Sequence, residues 1–223
     1  MRPASHSPSP ARASAAEGHE PRAAHWERAY AGRDPRAASW FQDEAHPSLD
    51  LVTAAAASPA CAVLDMGGGA STLAGHLLDR GFGNVTVVDM SPSALASARA
   101  RLGSRAARIS WLAADATTWT PPRLYDVWHD RAAFHFLVDP QDRAAYLHRL
   151  RAAVPPGGRV VMGTFAPDGP ETCSGLPVIR YDAPALATVF GPQFTLLHHM
   201  RHDHVTPGGK VQSFQFCTFL RRN

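Results

Sequence analysis

The chain reads as an α/β protein: a doubly wound sheet of mostly parallel strands, interleaved with helices and closed by a C-terminal hairpin. Three features predict this. Short β-branched apolar runs alternate with helical patterns from Val63 onward. The first run, Val63-Leu64-Asp65-Met66, empties into Gly67-Gly68-Gly69, after which leucines recur at helical spacing from Leu73 to Leu78. Near the end, two apolar stretches are joined by Thr206-Pro207-Gly208-Gly209, a hairpin turn sequence.

Taken in order, residues 1–24 carry prolines at 3, 8, 10 and 21 and almost nothing large and apolar, so burial cannot offset their ordering entropy; a disordered tail is expected. A single domain is expected over residues 25–223. His25 to Tyr30 reads as a short helix, followed by a polar turn through Pro35 and the pair Trp40-Phe41, then a helix from Leu49 through Ala57 stopped by Pro59. Val63 begins the sheet. Val85 to Asp89 is the second strand, and Ser91-Pro92 caps the helix that runs to Leu102. Ile109 to Ala113 is the third strand, leading to Asp115, and Tyr125 to His129 the fourth. A helix from about Pro140 to Val154 stops at Pro155-Pro156-Gly157-Gly158, and Arg159 to Phe165 is a buried fifth strand. Tyr181-Asp182-Ala183-Pro184 opens a helix to Phe190, and the hairpin spans Phe194 to His204 and Lys210 to Arg221.

The glycine turn calls for a ligand approached closely by backbone and faced by the free N–H groups of a helix start. Its charges indicate which one. The dinucleotide fingerprint needs a glycine where Thr72 stands, and Asp65 at the mouth of the turn would repel a pyrophosphate but attract a cation. S-adenosylmethionine, with its ammonium and sulfonium, suits such a site. At Asp65, Gly67 and Gly69 the sequence resembles the class I S-adenosylmethionine-dependent methyltransferases, with Ser71 in place of the motif's third glycine. The resemblance spans about residues 60–221. It implies a Rossmann-like, seven-stranded doubly wound sheet in which only the last strand is antiparallel.

It also implies roles. Cofactor contacts fall on Asp65, Gly67, Gly68, Gly69, Asp89, Met90, Asp115, Ala116 and His129. Asp89, twenty residues beyond Gly69 and at a strand end, would take both ribose hydroxyls. Asp115 would meet the adenine amino group and the N–H of Ala116 a ring nitrogen. The segment His129-Asp130-Arg131 to Phe136, with Asp142, Arg143 and Tyr146, is similar to the Trp-Asp-Arg region of thiopurine-type thiol methyltransferases, and more loosely to a segment of protein lysine methyltransferases. Asp130 and His135 are the candidate catalytic residues. Against these roles stand an Asp130–Arg131 ion pair that merely holds the loop, and a packed histidine between two phenylalanines. The Asn-Pro-Pro-Tyr motif of base and amide methyltransferases is absent.

Other candidates lie outside the motifs. Trp26, Tyr30, Trp40, Phe41 and Gln42 either close over the cofactor or staple a helix to the core. The stretch Asp168 to Pro177 is too specific for a bare connector and should border the acceptor pocket; Cys173 within it is either a soft ligand or inert packing. His198, His202 and His204 would share one strand face, but methyl transfer needs no metal and none is expected.

With 223 residues, 45% of them hydrophobic, one sizeable core is affordable. No run nears the ~18 apolar residues of a membrane span. A net charge of +3 from scattered arginines does not suggest a nucleic-acid partner. Cys61, Cys173 and Cys217 form no CxxC pair, and the N-terminus has no apolar signal core, so a cytoplasmic protein is expected. The fourth-strand resemblance and the lack of an added substrate domain imply a small-molecule acceptor, with a protein lysine as the runner-up. A non-catalytic cofactor-binding module is the alternative from another class.

Overall fold

The computed structural model describes residues 22–223. Its elements are α1 (Arg22–Tyr30), α2 (Ser48–Ala55), β1 (Val63–Met66), α3 (Leu73–Asp79), β2 (Val85–Asp89), α4 (Pro92–Leu102), β3 (Ile109–Ala113), β4 (Val127–Arg131), α5 (Pro140–Ala153), β5 (Arg159–Phe165), β6 (Thr172–Cys173), β7 (Leu176–Pro177), α6 (Ala183–Phe190), β8 (Phe194–Val205) and β9 (Val211–Arg221). Seven strands make one sheet in the order β3-β2-β1-β4-β5-β9-β8. Strands β1 to β5 pair in parallel, and β9 runs antiparallel to both of its neighbours. The short strands β6 and β7 form a separate two-stranded hairpin.

Alternation along the strands builds two apolar layers. Val63, Val85, Val87, Val127 and Val161 face Leu49 and Val52 of α2 and Leu73 and Leu77 of α3. Leu64, Met66, Val88, Trp128, Val160 and Met162 face Tyr146, Leu147 and Leu150 of α5 and Leu186 and Phe190 of α6. Both faces of the parallel strands are covered, which is why those strands read as nearly unbroken apolar runs. Helix starts follow a repeated device: Ser91, Asp139 and Asp182 each accept a backbone N–H of the first turn, with Pro92, Pro140 and Pro184 at its first or second position.

Two boundaries differ from expectation. The fourth strand covers Val127–Arg131, two residues later than the Tyr125 to His129 read from the sequence. Pairing with β1 begins only at Val127, opposite Val63, because Tyr125 N–H already donates to the Ala153 carbonyl and the Asp126 carboxylate accepts the Ala62 N–H at 2.7 Å. Asp130 and Arg131 therefore sit on the strand rather than in the loop. At the other end, Arg22 to Ala24 belong to α1 and not to the expected tail, since Arg22 has charged partners to hold it; the rest of that tail lies outside the described residues. Among the described residues no helix is long and apolar enough to cross a membrane.

Candidate active site

The site opens at the carboxyl ends of β1, β2 and β4. The turn after β1 uses its glycines against three different walls. Gly67 (φ +69°) would place a Cβ 2.5 Å from that of Ala133, Gly68 would collide with the Asp65 carboxylate and with Val87 Cγ1, and Gly69 (φ +32°) would come within 2.7 Å of Asp89 Oδ2. Any side chain here fills space that β1, β2 and the β4 loop leave open.

Asp65 is 2% exposed. Its Oδ1 accepts the Nδ1–H of His129, the facing residue on β4, at 2.7 Å, and His129 Nε2 lies 2.9 Å from the Ser48 hydroxyl of α2. Oδ2 is buried without a hydrogen-bond partner. A carboxylate oxygen left in this way costs free energy unless a donor arrives. Asp89 is also buried; its Oδ1 accepts Ser91 N–H at 2.8 Å. Burial raises its carboxyl to about 7, Ser91 N–H opposes this, and the nearby Asp65 adds to the rise.

Beside the turn lies a cleft of about 830 Å³, lined by Gly67, Asp89, Met90, Asp115 and Ala116 on one side and by Trp26, Tyr30, Trp40, Arg131, Phe136 and Cys173 on the other. A second cavity of about 540 Å³ reaches Asp65, Gly67, Gly68, Ser71 and His129 and shares Tyr30, Trp40 and Arg131 with the first. The sequence-predicted cofactor residues thus converge on two communicating cavities, with Gly69 directly behind the wall that Asp89 makes. Asp115 Oδ1 is taken by the N–H and hydroxyl of Thr117, while among the described residues Oδ2 accepts only Arg22, at 3.1 Å, and keeps capacity for a further donor.

The candidate catalytic residues stand elsewhere. Asp130 is 0% exposed and outside both cavity linings; it accepts the Tyr146 hydroxyl at 2.6 Å and the N–H groups of Ala133 and Phe134 at 3.0 and 3.2 Å. Burial raises its carboxyl to about 6. It holds the loop after β4, not an acceptor. It also makes no ion pair with Arg131, because adjacent strand residues point to opposite faces. His135 is equally buried. Its Nδ1 accepts the Phe165 N–H at 3.2 Å, and burial, aided by Arg131, lowers the imidazole to about 3, so it packs rather than moves protons.

Helix α1 crosses the cleft as a strap. Glu27 accepts Ser91 Oγ at 2.7 Å, Ser93 N–H at 3.2 Å and Ser93 Oγ at the start of α4, and these bonds lower its pKa. Arg22 donates to Asp142 at 2.9 Å as well as to Asp115 and to Thr117 Oγ1. Between these ties, Trp26 packs edge-on against Trp40 and Phe136, and Trp40 Nε1–H donates to the Tyr30 hydroxyl at 3.0 Å. Trp26, Tyr30 and Trp40 thus line the cavity and at the same time join α1 to the segment before α2 and to Phe136. The Asp168 to Pro177 stretch borders the cleft through Cys173, whose thiol burial raises to about 11. His204 is occupied by the Ser39 carbonyl at 2.7 Å, and His202 lies edge-on to Phe216. Among the described residues no group of three or more His, Cys, Asp or Glu is placed to hold a metal.

Residues 63–158 match a family described as a methyltransferase domain. The sheet superimposes on the 1,6-didemethyltoxoflavin-N1-methyltransferase of Burkholderia thailandensis, crystallised with its substrate and S-adenosylhomocysteine, with a TM-score of 0.65 at 24% identity over 81% of this chain and 80% of that one. The chain has the class I methyltransferase fold. The N-methyltransferase NodS of Bradyrhizobium japonicum shares this fold, with a TM-score of 0.61 at 20% identity over 78% of this chain and 85% of that one. In sequence the chain is similar to trans-aconitate 2-methyltransferase of Methylobacterium radiotolerans, 34% identical over 131 residues, or 57% of this chain and 46% of the relative. It therefore spans about half the length of that curated relative.

Sequence reading missed two residues of this methyltransferase fold's cleft. Arg22 was hidden in a Pro- and Ala-rich tail. Arg131 reads from the sequence only as part of the fourth-strand motif or as a partner for Asp130, and the register of β4 against β1, with His129 opposite Asp65, is what puts it on the cavity side.

Proposed function

We propose that this chain is an S-adenosylmethionine-dependent methyltransferase acting on a small molecule. The observation that carries this reading is the buried, unpartnered Oδ2 of Asp65 at the glycine turn, which fits an ammonium group and would repel a phosphate. When bound, the cofactor supplies a sulfonium methyl: an acceptor lone pair forms the bond to carbon, the C–S pair stays on sulfur as S-adenosylhomocysteine, and any acceptor proton passes to water. The protein's share is to bind, orient and exclude water.

Each residue's part follows from its place. Asp65 takes the ammonium, with His129 and Ser48 fixing its orientation. Gly67 to Gly69 let the backbone come close. Asp89 accepts the ribose hydroxyls, Met90 and Ala116 border the base, and Asp115 Oδ2 accepts the adenine amino group beside Arg22. Trp26, Tyr30 and Trp40 close the cleft. A small acceptor suits a cleft walled by one domain and a short strap, and the methyltransferases similar to this chain are named for small molecules such as trans-aconitate and 1,6-didemethyltoxoflavin. Of the segment that suggested a thiol acceptor, Arg131, Phe136 and Tyr146 line the cleft and Asp130 does not, and none of these side chains singles out sulfur.

Calorimetry with S-adenosylhomocysteine, together with labelled-methyl transfer into small-molecule and protein fractions of a cell extract, tests this. Micromolar binding with label in the small-molecule fraction is expected. Label in protein alone would point to a lysine acceptor, binding without transfer to a cofactor-binding module, and no binding at all would defeat the assignment.

A further inference from the structure

Arg131 ends β4 on the same face as His129, and its side chain lines both cavities. One nitrogen, Nη1, donates to the Trp40 carbonyl at 2.9 Å, and the guanidinium lies 4.9 Å from the centre of the Phe214 ring. The other, Nη2, is buried with no hydrogen-bond partner. Among the described residues no carboxylate forms an ion pair with it; Asp65 is the charged group near enough to favour the cation, while the Cys173 thiol is raised to about 11, the Tyr30 phenol is raised and the His135 imidazole is lowered, which keeps those three neutral. Burial brings the guanidinium itself down only to about 10, so it stays charged at neutral pH.

A buried guanidinium with one nitrogen unpartnered and no ion pair is expensive to maintain unless an anion joins it. The cofactor's own carboxylate is not the natural counterion. Phe214 belongs to β9, third along the sheet from β1 through β4 and β5, and neighbouring strands are ~4.8 Å apart. The guanidinium thus stands between the two cavities, and its Phe214 side lies toward the wall made by Phe136 and Cys173. A single cation in an apolar wall matches a singly charged planar anion better than a phosphate, and a guanidinium edge meets a carboxylate with parallel hydrogen bonds. Resting on the methyltransferase reading of this cleft, we infer that the acceptor carries a carboxylate, which Arg131 binds and by which it selects acidic substrates over neutral ones of the same shape.

The test is calorimetry on the full chain saturated with S-adenosylhomocysteine, with three acids (benzoate, phenylacetate and glutarate) and with phenylacetamide as the neutral counterpart of phenylacetate. At least one acid should bind, and phenylacetate should bind at least tenfold more tightly than its amide. In Arg131→Met that preference should fall to within twofold; in Arg131→Lys, which keeps charge without the planar fork, part of it should return. S-adenosylhomocysteine affinity in Arg131→Met should stay within threefold of the parent. The inference is overturned if no acid binds, if the amide binds as well as the acid, or if Arg131→Met loses tenfold or more in S-adenosylhomocysteine affinity while acid preference persists. A parent chain that ignores S-adenosylhomocysteine would defeat the cofactor assignment instead, and the same acids titrated into the free chain would still judge Arg131.

Discussion

Replacing Asp130 separates a loop-holding carboxylate from a reacting one. In Asp130→Ala the Tyr146 hydroxyl and the N–H groups of Ala133 and Phe134 lose their acceptor, and Phe134 and Tyr146 are fully buried. At about 1–3 kcal/mol for each buried donor left unpaired, reduced as the loop relaxes and the charge disappears, destabilisation of about 3–5 kcal/mol is expected. Asp130→Asn retains one oxygen for the two N–H groups and removes the charge, so its cost at pH 7 is within about 2 kcal/mol. The pH profile adds a second reading. A carboxyl raised to about 6 in the folded chain, from an ordinary 3.8, takes up protons on folding between those values. Its contribution is fully present below pH 4 and is lost as pH rises through 6, a decline of about 3 kcal/mol that Asp130→Asn lacks. Urea unfolding followed by tryptophan fluorescence from pH 4 to 8 measures all three proteins. An Asp130→Ala variant within about 1 kcal/mol of the parent would refute the loop-holding role, as would a fully stable Asp130→Asn that loses a hundredfold or more in methyl transfer.

The cofactor side yields three further expectations. Since burial raises Asp89 to about 7 and only its ionised form accepts two ribose hydroxyls, S-adenosylhomocysteine affinity should fall as pH drops below 7, approaching tenfold per unit, and Asp89→Asn should bind weakly at every pH; calorimetry from pH 5.5 to 8.5 checks both. Gly69→Ala pairs a left-handed backbone with a methyl 2.7 Å from Asp89 Oδ2, so at least a tenfold loss of S-adenosylhomocysteine affinity is expected together with a stability loss of about 1–3 kcal/mol by urea unfolding. Glu27→Ala unties one end of α1, and stopped-flow quenching of Trp26 and Trp40 should then show severalfold faster release of S-adenosylhomocysteine.

Much of the fold was legible because local chemistry and burial agree along the chain. Ser91-Pro92 and Asp182-Ala183-Pro184 announce helix starts whatever the tertiary setting, and β1, β2 and β5, covered on both faces, carry apolar runs too short for anything but strands. The acidic residues bordering the cofactor cleft were legible for a related reason, since strand ends in a parallel sheet converge on one edge. What escaped depends on partners far off in sequence. The start of β4 is decided by Ala153 and Ala62, the order in α1 by Asp115 and Asp142, and the placement of Asp130 by Tyr146. No pattern within the Asp130-Arg131 pair tells which of two neighbouring charges faces the cleft; only the register against β1 does.

The contact between Gly67 and Ala133 limits how this cleft can change. Because the glycine turn lies too close to the loop after β4 to admit even a methyl group at Gly67, enlarging Ala133 to reshape the acceptor's surroundings would press on the turn itself. New acceptors are therefore accommodated from the opposite wall, by altering the β6–β7 hairpin around Cys173, which lines the first cavity but not the one that Gly68 borders. A library confined to that hairpin should retain S-adenosylhomocysteine binding in most members, whereas one built on residues 132–134 should lose it first.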